Sequence, residues 1–410
     1  MSGLLTPGAH RAHDLVRDRA LLAAMCRVES AWLRALAAVG AVDEAGAARA
    51  ATAVEAADLD VSALGAEAEA AGNPVVPLVR NLRAAVGDES LSRLVHRGLT
   101  SQDVLDTALV LVAREAVAQV VADLRATAAG LAGLAARHRD DVMPGRTLTQ
   151  YAVPVTFGLT AAQWLTGVVD AADAVDDVAR RLPVQCGGAA GTLALVAELT
   201  TDPVAAARSF ADELGLPWPG LPWHTRRRPL TDLGDALVGV CDALGVIGTD
   251  VALLGRPEIG EVREGSAPGR GGSSTMPHKQ NPVLSVLLRG AALQAPPLGA
   301  QLHTAAAQAV DQRPDGAWHA EWPALRRLLE LTVTAASQAA ELVGGLRVDT
   351  TTMRAHAEGA ADQLLAERGK PGTPADYLGA AGRFVDQALD RYHRTAHGSE
   401  NDSPCEPTEA

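Results

Sequence analysis

The side chains best suited to chemistry cluster near the end of Gly260–Pro282 (GEVREGSAPGRGGSSTMPHKQNP), where Ser273, Ser274, Lys279 and Asn281 follow five glycines. A hydroxyl beside an ammonium suits carboxylate binding, and a serine held there can exchange a proton with a carbon acid. On composition alone a polar linker explains the segment as well as a site does. Its 23 residues separate two apolar helical patterns, and connections that long in a helical chain are seldom idle.

Three other polar clusters stand just before or at the start of helical patterns. His96-Arg97-Gly98-Leu99-Thr100-Ser101-Gln102-Asp103 puts Thr100 and Ser101 where free backbone N–H groups and the positive helix end favour an anion. Ordinary N-capping by Ser101 or Asp103 is the simpler account. Gly145–Gln150 (GRTLTQ) offers Thr147 and Gln150, or is a polar turn. Gln312–Trp322 contains Arg313, whose guanidinium can grip a carboxylate with two hydrogen bonds. Trp318 and Trp322, four residues apart, read as core. His224, in Leu221–Thr225 (LPWHT), is a site residue or a loop histidine. Arg226-Arg227-Arg228 reads as a solvated face. Gly187–Gly191 (GGAAG) lacks the spacing of a nucleotide loop. No cluster of histidines, cysteines and carboxylates suggests a metal, so neither metal nor cofactor is expected.

Helices must position these groups. Leu233, Leu237, Val240, Leu244, Ile247, Val251 and Leu254 alternate four and three apart, three heptads of one apolar seam. Gly234, Gly239, Gly245 and Gly248 lie among them. Each costs about 1 kcal/mol inside a helix, so close packing against neighbouring helices is expected. Similar patterns run over about 104–138, 155–182 and 323–346, with Asp103 and Pro154 as start signals for the first two. Pro296-Pro297 should kink or stop the helix that begins near Pro282. The Gly-rich stretch Leu182–Thr201 could hold a small hairpin. The expected class is all-α, an elongated bundle of long helices. Three regions are expected: an N-terminal helical domain over residues 1–105, a central rod over 106–345 carrying loop 260–282, and a short C-terminal helical region over 346–410. The tail from His397 on is polar and without periodicity, and reads as disordered.

The 410 residues are 48% hydrophobic but only 3% aromatic, so the core is aliphatic. The balance of 36 basic and 49 acidic residues, net −13, argues against a nucleic-acid partner. Cys26, Cys186, Cys241 and Cys405 have no pairing pattern and read as reduced thiols. The opening MSGLLTPGAHRAHDL lacks the features of a secretory leader. No uncharged apolar run reaches the ~18 residues of a membrane span. A cytoplasmic protein without a membrane partner is expected.

Ser273–Pro282, SSTMPHKQNP, closely resembles the signature of the fumarase/aspartase superfamily, which includes adenylosuccinate lyase, argininosuccinate lyase and the muconate cycloisomerases. HRGLTSQD is similar to that family's first site region and GRTLTQ to its second. AGNPVVPLVR (71–80), TSQDVLDTALVL (100–111), QCGGAAGTLA (185–194), LPWHT and GAWHAEW (316–322) look like the 3-carboxy-cis,cis-muconate cycloisomerase branch. The resemblance spans roughly 1–350, with an echo in YLGAAGRFVDQAL (377–389).

The resemblance implies a homotetramer with a twenty-helix core, in which each active site draws on three subunits. It implies that Ser273 transfers the proton and that His96 is a catalytic histidine. By the same implication Lys279, Asn281, Ser274, Thr100, Ser101, Thr147, Gln150, Arg313 and His224 bind a small tricarboxylate substrate. The lyases carry histidine in the second region, where this chain has Leu148. A carboxylate that adds or leaves, with a conjugate-acid pKa of about 4, needs no proton from the protein. Leu148 therefore fits lactone formation better than amine expulsion. The C-terminal region is short against the family. The implied activity is cycloisomerisation of 3-carboxy-cis,cis-muconate. The alternatives are a lyase of the same fold that releases fumarate from a substituted succinate such as nitrosuccinate, and a non-catalytic relative.

Overall fold

Leu233, Leu237, Val240, Leu244, Ile247, Val251 and Leu254 lie along one uninterrupted helix, Arg228–Leu254, and all seven are buried. Their spacing turns one stripe of the helix to the core. A Cβ added at Gly234 would stand 2.6 Å from Leu302, one at Gly245 2.4 Å from Ala292, and one at Gly248 2.8 Å from the Ser285 carbonyl. At these three positions the glycine admits the helix Val283–Ala306 at close range. Gly239 faces open space and has no such role.

The computed structural model describes residues 4–398 apart from Pro268, Ser274 and Pro277. Among the described residues the other long helices are Ser101–Arg137, Phe157–Arg181 and Gly316–Gly344. The only sheets there are two antiparallel pairs, Val142–Thr147 with Gln150–Thr156 and Val262–Arg263 with Arg347–Val348. The all-α expectation holds. Several shorter helices begin behind an aspartate whose carboxylate accepts a first-turn N–H: Asp43, Asp60, Asp88, Asp202 and Asp349.

Several local expectations change. Pro296 and Pro297 lie inside Val283–Ala306, which continues past them. Burial of Ala291, Ala295 and Leu302 along that helix offsets the lost backbone bonds. Asp103 sits in the first turn of a helix that begins at Ser101, not at its cap. Pro154 is within the strand Gln150–Thr156, and the helix that follows starts at Phe157. Leu182–Thr201 forms no hairpin but an irregular run with one helical turn, Ala194–Ala197. The hairpin lies at 142–156 instead. The helix Ala381–Gly398 runs through His397, and the rest of the polar tail, with Cys405, lies outside the described residues. Two helices, Arg228–Leu254 and Val283–Ala306, are long and apolar enough to cross a membrane by length and composition. The one-sided buried seam of the first is the pattern of a core helix.

The chain divides into two compact units. The first comprises Met1–Gln119, Val175–Leu237 and Ala295–Val333. In it the helix Asp18–Ala38 buries Trp32, which meets Phe210 edge-on at 5.3 Å. The Trp32 indole N–H donates to the Arg97 carbonyl at 2.8 Å and so fixes the segment before Thr100. The second unit comprises Val120–Ala174, Val238–Gln294 and Thr334–Ala410. There the helix Thr350–Gly359 packs on the strand Val142–Thr147, and Val142 covers the small cluster Ala357, Ala360 and Leu364.

Candidate active site

In the first unit the site is built around Asp103. Its buried carboxylate accepts the N–H groups of Thr100 (3.0 Å), Gly187 (2.9 Å) and Gly188 (2.9 Å), and His224 Nε2 lies 2.8 Å from Oδ1. Four contacts on one carboxylate compensate its loss of water. The glycines are required: a Cβ at Gly187 would meet His224 and Pro222 at 2.8 Å, and Gly188 has φ +69°. The Gly187–Gly191 segment is thus a cradle for Asp103.

One turn along the helix, Asp106 takes both Nη atoms of Arg227, at 2.6 and 3.0 Å, and the Trp318 indole N–H at 2.9 Å. Arg227 also bonds Glu321 at 2.7–3.1 Å and lies over the Trp223 ring, 4.7 Å from its centroid. Burial pushes the Glu321 carboxyl above its usual value despite the pull of Arg227. The solvated-face reading of Arg226–Arg228 is therefore wrong for Arg227, which is 2% exposed. Gln185 joins this network, accepting from Trp223 N–H (2.9 Å) and donating to Asp106 (3.2 Å). Asp103 and Asp106, three apart in an otherwise apolar stretch, were the signal that could have revealed it.

Arg313 donates through Nη1 to the Thr100 hydroxyl, so two of the candidate residues meet directly. Ser101 is half-buried at the helix start. His224 is 3% exposed, with Nε2 on Asp103 and no hydrogen-bond partner for Nδ1 among the described residues. His96 adopts φ +65° and places Nδ1 2.7 Å from the buried Glu29. Burial works against a charged ring, but Glu29 and then Asp103 outweigh it, and the His96 pKa lies above its ordinary 6.5. His96 lines a cavity of about 630 Å³ with Arg83, Arg93 and Arg97.

In the second unit Thr147 and Gln150 face each other as the last pair of the hairpin. Leu148 and Thr149 form its turn at φ +50° and +69°, both unusual without glycine. Leu148 is 94% exposed. Next to the tip Arg146, opposite Tyr151, grips Glu261 at 2.7 and 2.9 Å, and Glu261 also takes His356 at 2.8 Å. The bulge at Gly145 leaves no room for a side chain, since a Cβ would stand 2.4 Å from the Val153 carbonyl.

The loop carrying Ser273 is closed at its neck. Gly272 bridges Gln280, and Asn281 N–H donates to the Gly271 carbonyl at 2.8 Å. Ser273 Oγ accepts the N–H groups of Thr275 (3.4 Å) and Met276 (3.2 Å), and among the described residues it has no side-chain partner. Two backbone dipoles on the hydroxyl oxygen favour its negative form. Lys279 and Asn281 line a cavity of about 610 Å³. Ser274 lies outside the described residues. Among the described residues no three histidines, cysteines, aspartates or glutamates are grouped to hold a metal ion.

The candidate residues thus fall into two sets, His96, Thr100, Ser101, His224 and Arg313 in the first unit, and Thr147, Gln150, Ser273, Lys279 and Asn281 in the second. Asp106, Gln185 and Glu321 were missed in the sequence, and Asp103 and Arg227 were read there only as a helix cap and a solvated charge.

Residues 12–296 match the protein family described as Lyase. The chain is 46% identical over 376 residues to nitrosuccinate lyase of Streptomyces davaonensis, covering 90% of this chain and 79% of that one. It is 44% identical over 340 residues to 3-carboxy-cis,cis-muconate cycloisomerase of Pseudomonas aeruginosa, covering 82% and 73%. The crystal structure of the 3-carboxy-cis,cis-muconate lactonizing enzyme from Pseudomonas putida superposes with a TM-score of 0.85 at 32% identity, covering 93% of this chain and 97% of that one. With its fold, its signature segment and these relatives in agreement, the chain belongs to the lyase family of the fumarase/aspartase superfamily.

Proposed function

We propose that this protein is a cycloisomerase that converts 3-carboxy-cis,cis-muconate to a carboxymuconolactone. The observation that carries the reading is Leu148, an exposed apolar side chain at the tip where the amine-expelling lyases need a proton-handling histidine. One substrate carboxylate adds to the conjugated double bond of the same molecule, so no leaving group has to be protonated. A bound near-attack pose supplies much of the acceleration. Negative charge then develops on the carbon next to another carboxylate, as an enolate-like dianion. Lys279, Asn281 and the Thr100–Ser101 helix start stabilise that charge, and the Ser273 hydroxyl delivers a proton to that carbon, the same serine taking it back in the reverse, ring-opening direction. Thr147, Gln150, Ser274, Arg313, His224 and His96 complete the pocket. No step calls for a metal or cofactor.

The candidate residues of the two units would complete one another in a homotetramer with shared sites. Exposed apolar side chains on the long helices support such assembly, among them Leu293 at 79% exposure, with Val246 and Val286. A cytoplasmic location follows from the enzyme class.

The test is loss of diene absorbance when 3-carboxymuconate, made in place from protocatechuate and a dioxygenase, meets the purified chain. Rapid decay that vanishes in Ser273→Ala establishes the reading. A second reading is favoured by the 46% identity to a nitrosuccinate lyase. Nitrite, like a carboxylate, leaves without a proton, so Leu148 is compatible with it too. Nitrite and fumarate released from nitrosuccinate, with no diene decay, would replace the first reading by this one.

A further inference from the structure

In the second unit the strands Val262–Arg263 and Arg347–Val348 pair Val262 with Val348 and Arg263 with Arg347. Alternation along a strand puts the two pairs on opposite faces. Val262 is buried in the core. Arg263 and Arg347 both line the cavity that holds Lys279 and Asn281.

Like charges directly opposite each other across a strand pair are destabilising. Among the described residues neither arginine has an ion-pair partner in its unit. Asp349 is near enough to Arg263 to feel its charge, but its carboxylate caps the helix Thr350–Gly359 by accepting from Thr352 N–H at 2.9 Å. The acid that lines the cavity, Glu264, is engaged by the N–H groups of Leu284 (3.0 Å) and Ser285 (3.1 Å) at the start of the next helix. Arg270, also on the cavity wall, is paired with Glu341. What is left facing the space is Arg263, Arg347 and Lys279, three cations and, among the described residues, no unengaged carboxylate. A second anionic group would relieve the repulsion, and guanidinium forks match a carboxylate.

We propose that Arg263 and Arg347 form a second carboxylate subsite beside Lys279 and Asn281, which makes the cavity selective for tricarboxylates over dicarboxylates. This rests on the reading of Lys279 and Asn281 as carboxylate ligands. The two arginines are specificity residues, and the proton transfer does not pass through them.

The test compares the full-length wild type with Arg263→Gln, Arg347→Gln and the double variant. Both side chains are exposed, so folding is not at stake, and a melting temperature at or above that of the wild type, as relief of the like-charge repulsion predicts, verifies that. Calorimetric titration with tricarballylate should show binding weakened tenfold or more in the double variant. Binding of succinate should stay within twofold. In the diene assay KM should rise about tenfold while kcat changes less than threefold, and Arg347→Lys should recover some of the loss. Tricarballylate binding that is absent in the wild type, or equal in the double variant, overturns the proposal. So does arginine-dependent binding of inorganic phosphate without arginine-dependent binding of tricarballylate, which would assign the pair to a free anion. If diene decay fails but tricarballylate still depends on the arginines, the cycloisomerase reading falls and the subsite stands.

Discussion

Around Asp103 and Asp106, charged groups are buried and each is engaged several times over: Asp103 by three backbone N–H groups and His224, and Arg227 by two carboxylates and an indole face. Around Ser273 and Leu148 the opposite holds. The hydroxyl has only two long backbone contacts among the described residues, and the hairpin tip stands in solvent with two residues at positive φ. One region spends its polar groups on each other and so holds a backbone shape. The other leaves its polar groups and an apolar tip available.

The sharpest way to break the contrast is Arg227→Ala. It leaves Asp106 and Glu321 buried without their cation, a loss of about 3–5 kcal/mol. A denaturant midpoint that barely moves would show the network to be dispensable. Next in size is Ser273→Ala, which should lower turnover a hundredfold or more, an activation-energy change of about 2.7 kcal/mol, with the same denaturation midpoint as the wild type. If the midpoint falls as far as in Arg227→Ala, the two regions do not differ in kind.

A smaller effect tests the edge of the first region. Because the folded-state pKa of His96 is raised, the protonated ring's stabilisation is fully present below the unfolded value of 6.5 and is lost as pH rises through the folded value. The denaturation midpoint should therefore drop across that window, and Glu29→Gln should flatten the drop. A profile identical in the two proteins would remove Glu29 as the cause. The smallest effect is expected at the hairpin tip. Thr149→Gly should raise stability by about 1 kcal/mol, because a β-branched residue at φ +69° is strained. A destabilised Thr149→Gly would mean that the tip is not strained in the folded protein.

The heptad seam of Arg228–Leu254, the presence of the long helices though not all their limits, and the signature run Ser273–Pro282 were legible in the linear chain. Each depends on spacing, and spacing is what a sequence preserves. Leu148 was legible for the same reason, as a departure at a known place within GRTLTQ. The buried role of Arg227 was not. An arginine between two others looks solvated until distant segments of the chain bring Asp106 and Glu321 to it, beside the neighbouring Trp223. Burial and pairing are long-range facts: Asp106 and Arg227 are 121 residues apart, and Arg227 and Glu321 are 94. The same holds for Gly187 and Gly188, which look like a loop until Asp103 needs their N–H groups, and for Arg263 and Arg347, which become a pair only when two short strands align. Sequence alone determined the helices, the family and the residues that resemble its site. The tertiary structure decided which charges are buried against each other and which are left facing open space, because desolvation and pairing depend on neighbours that no local pattern records.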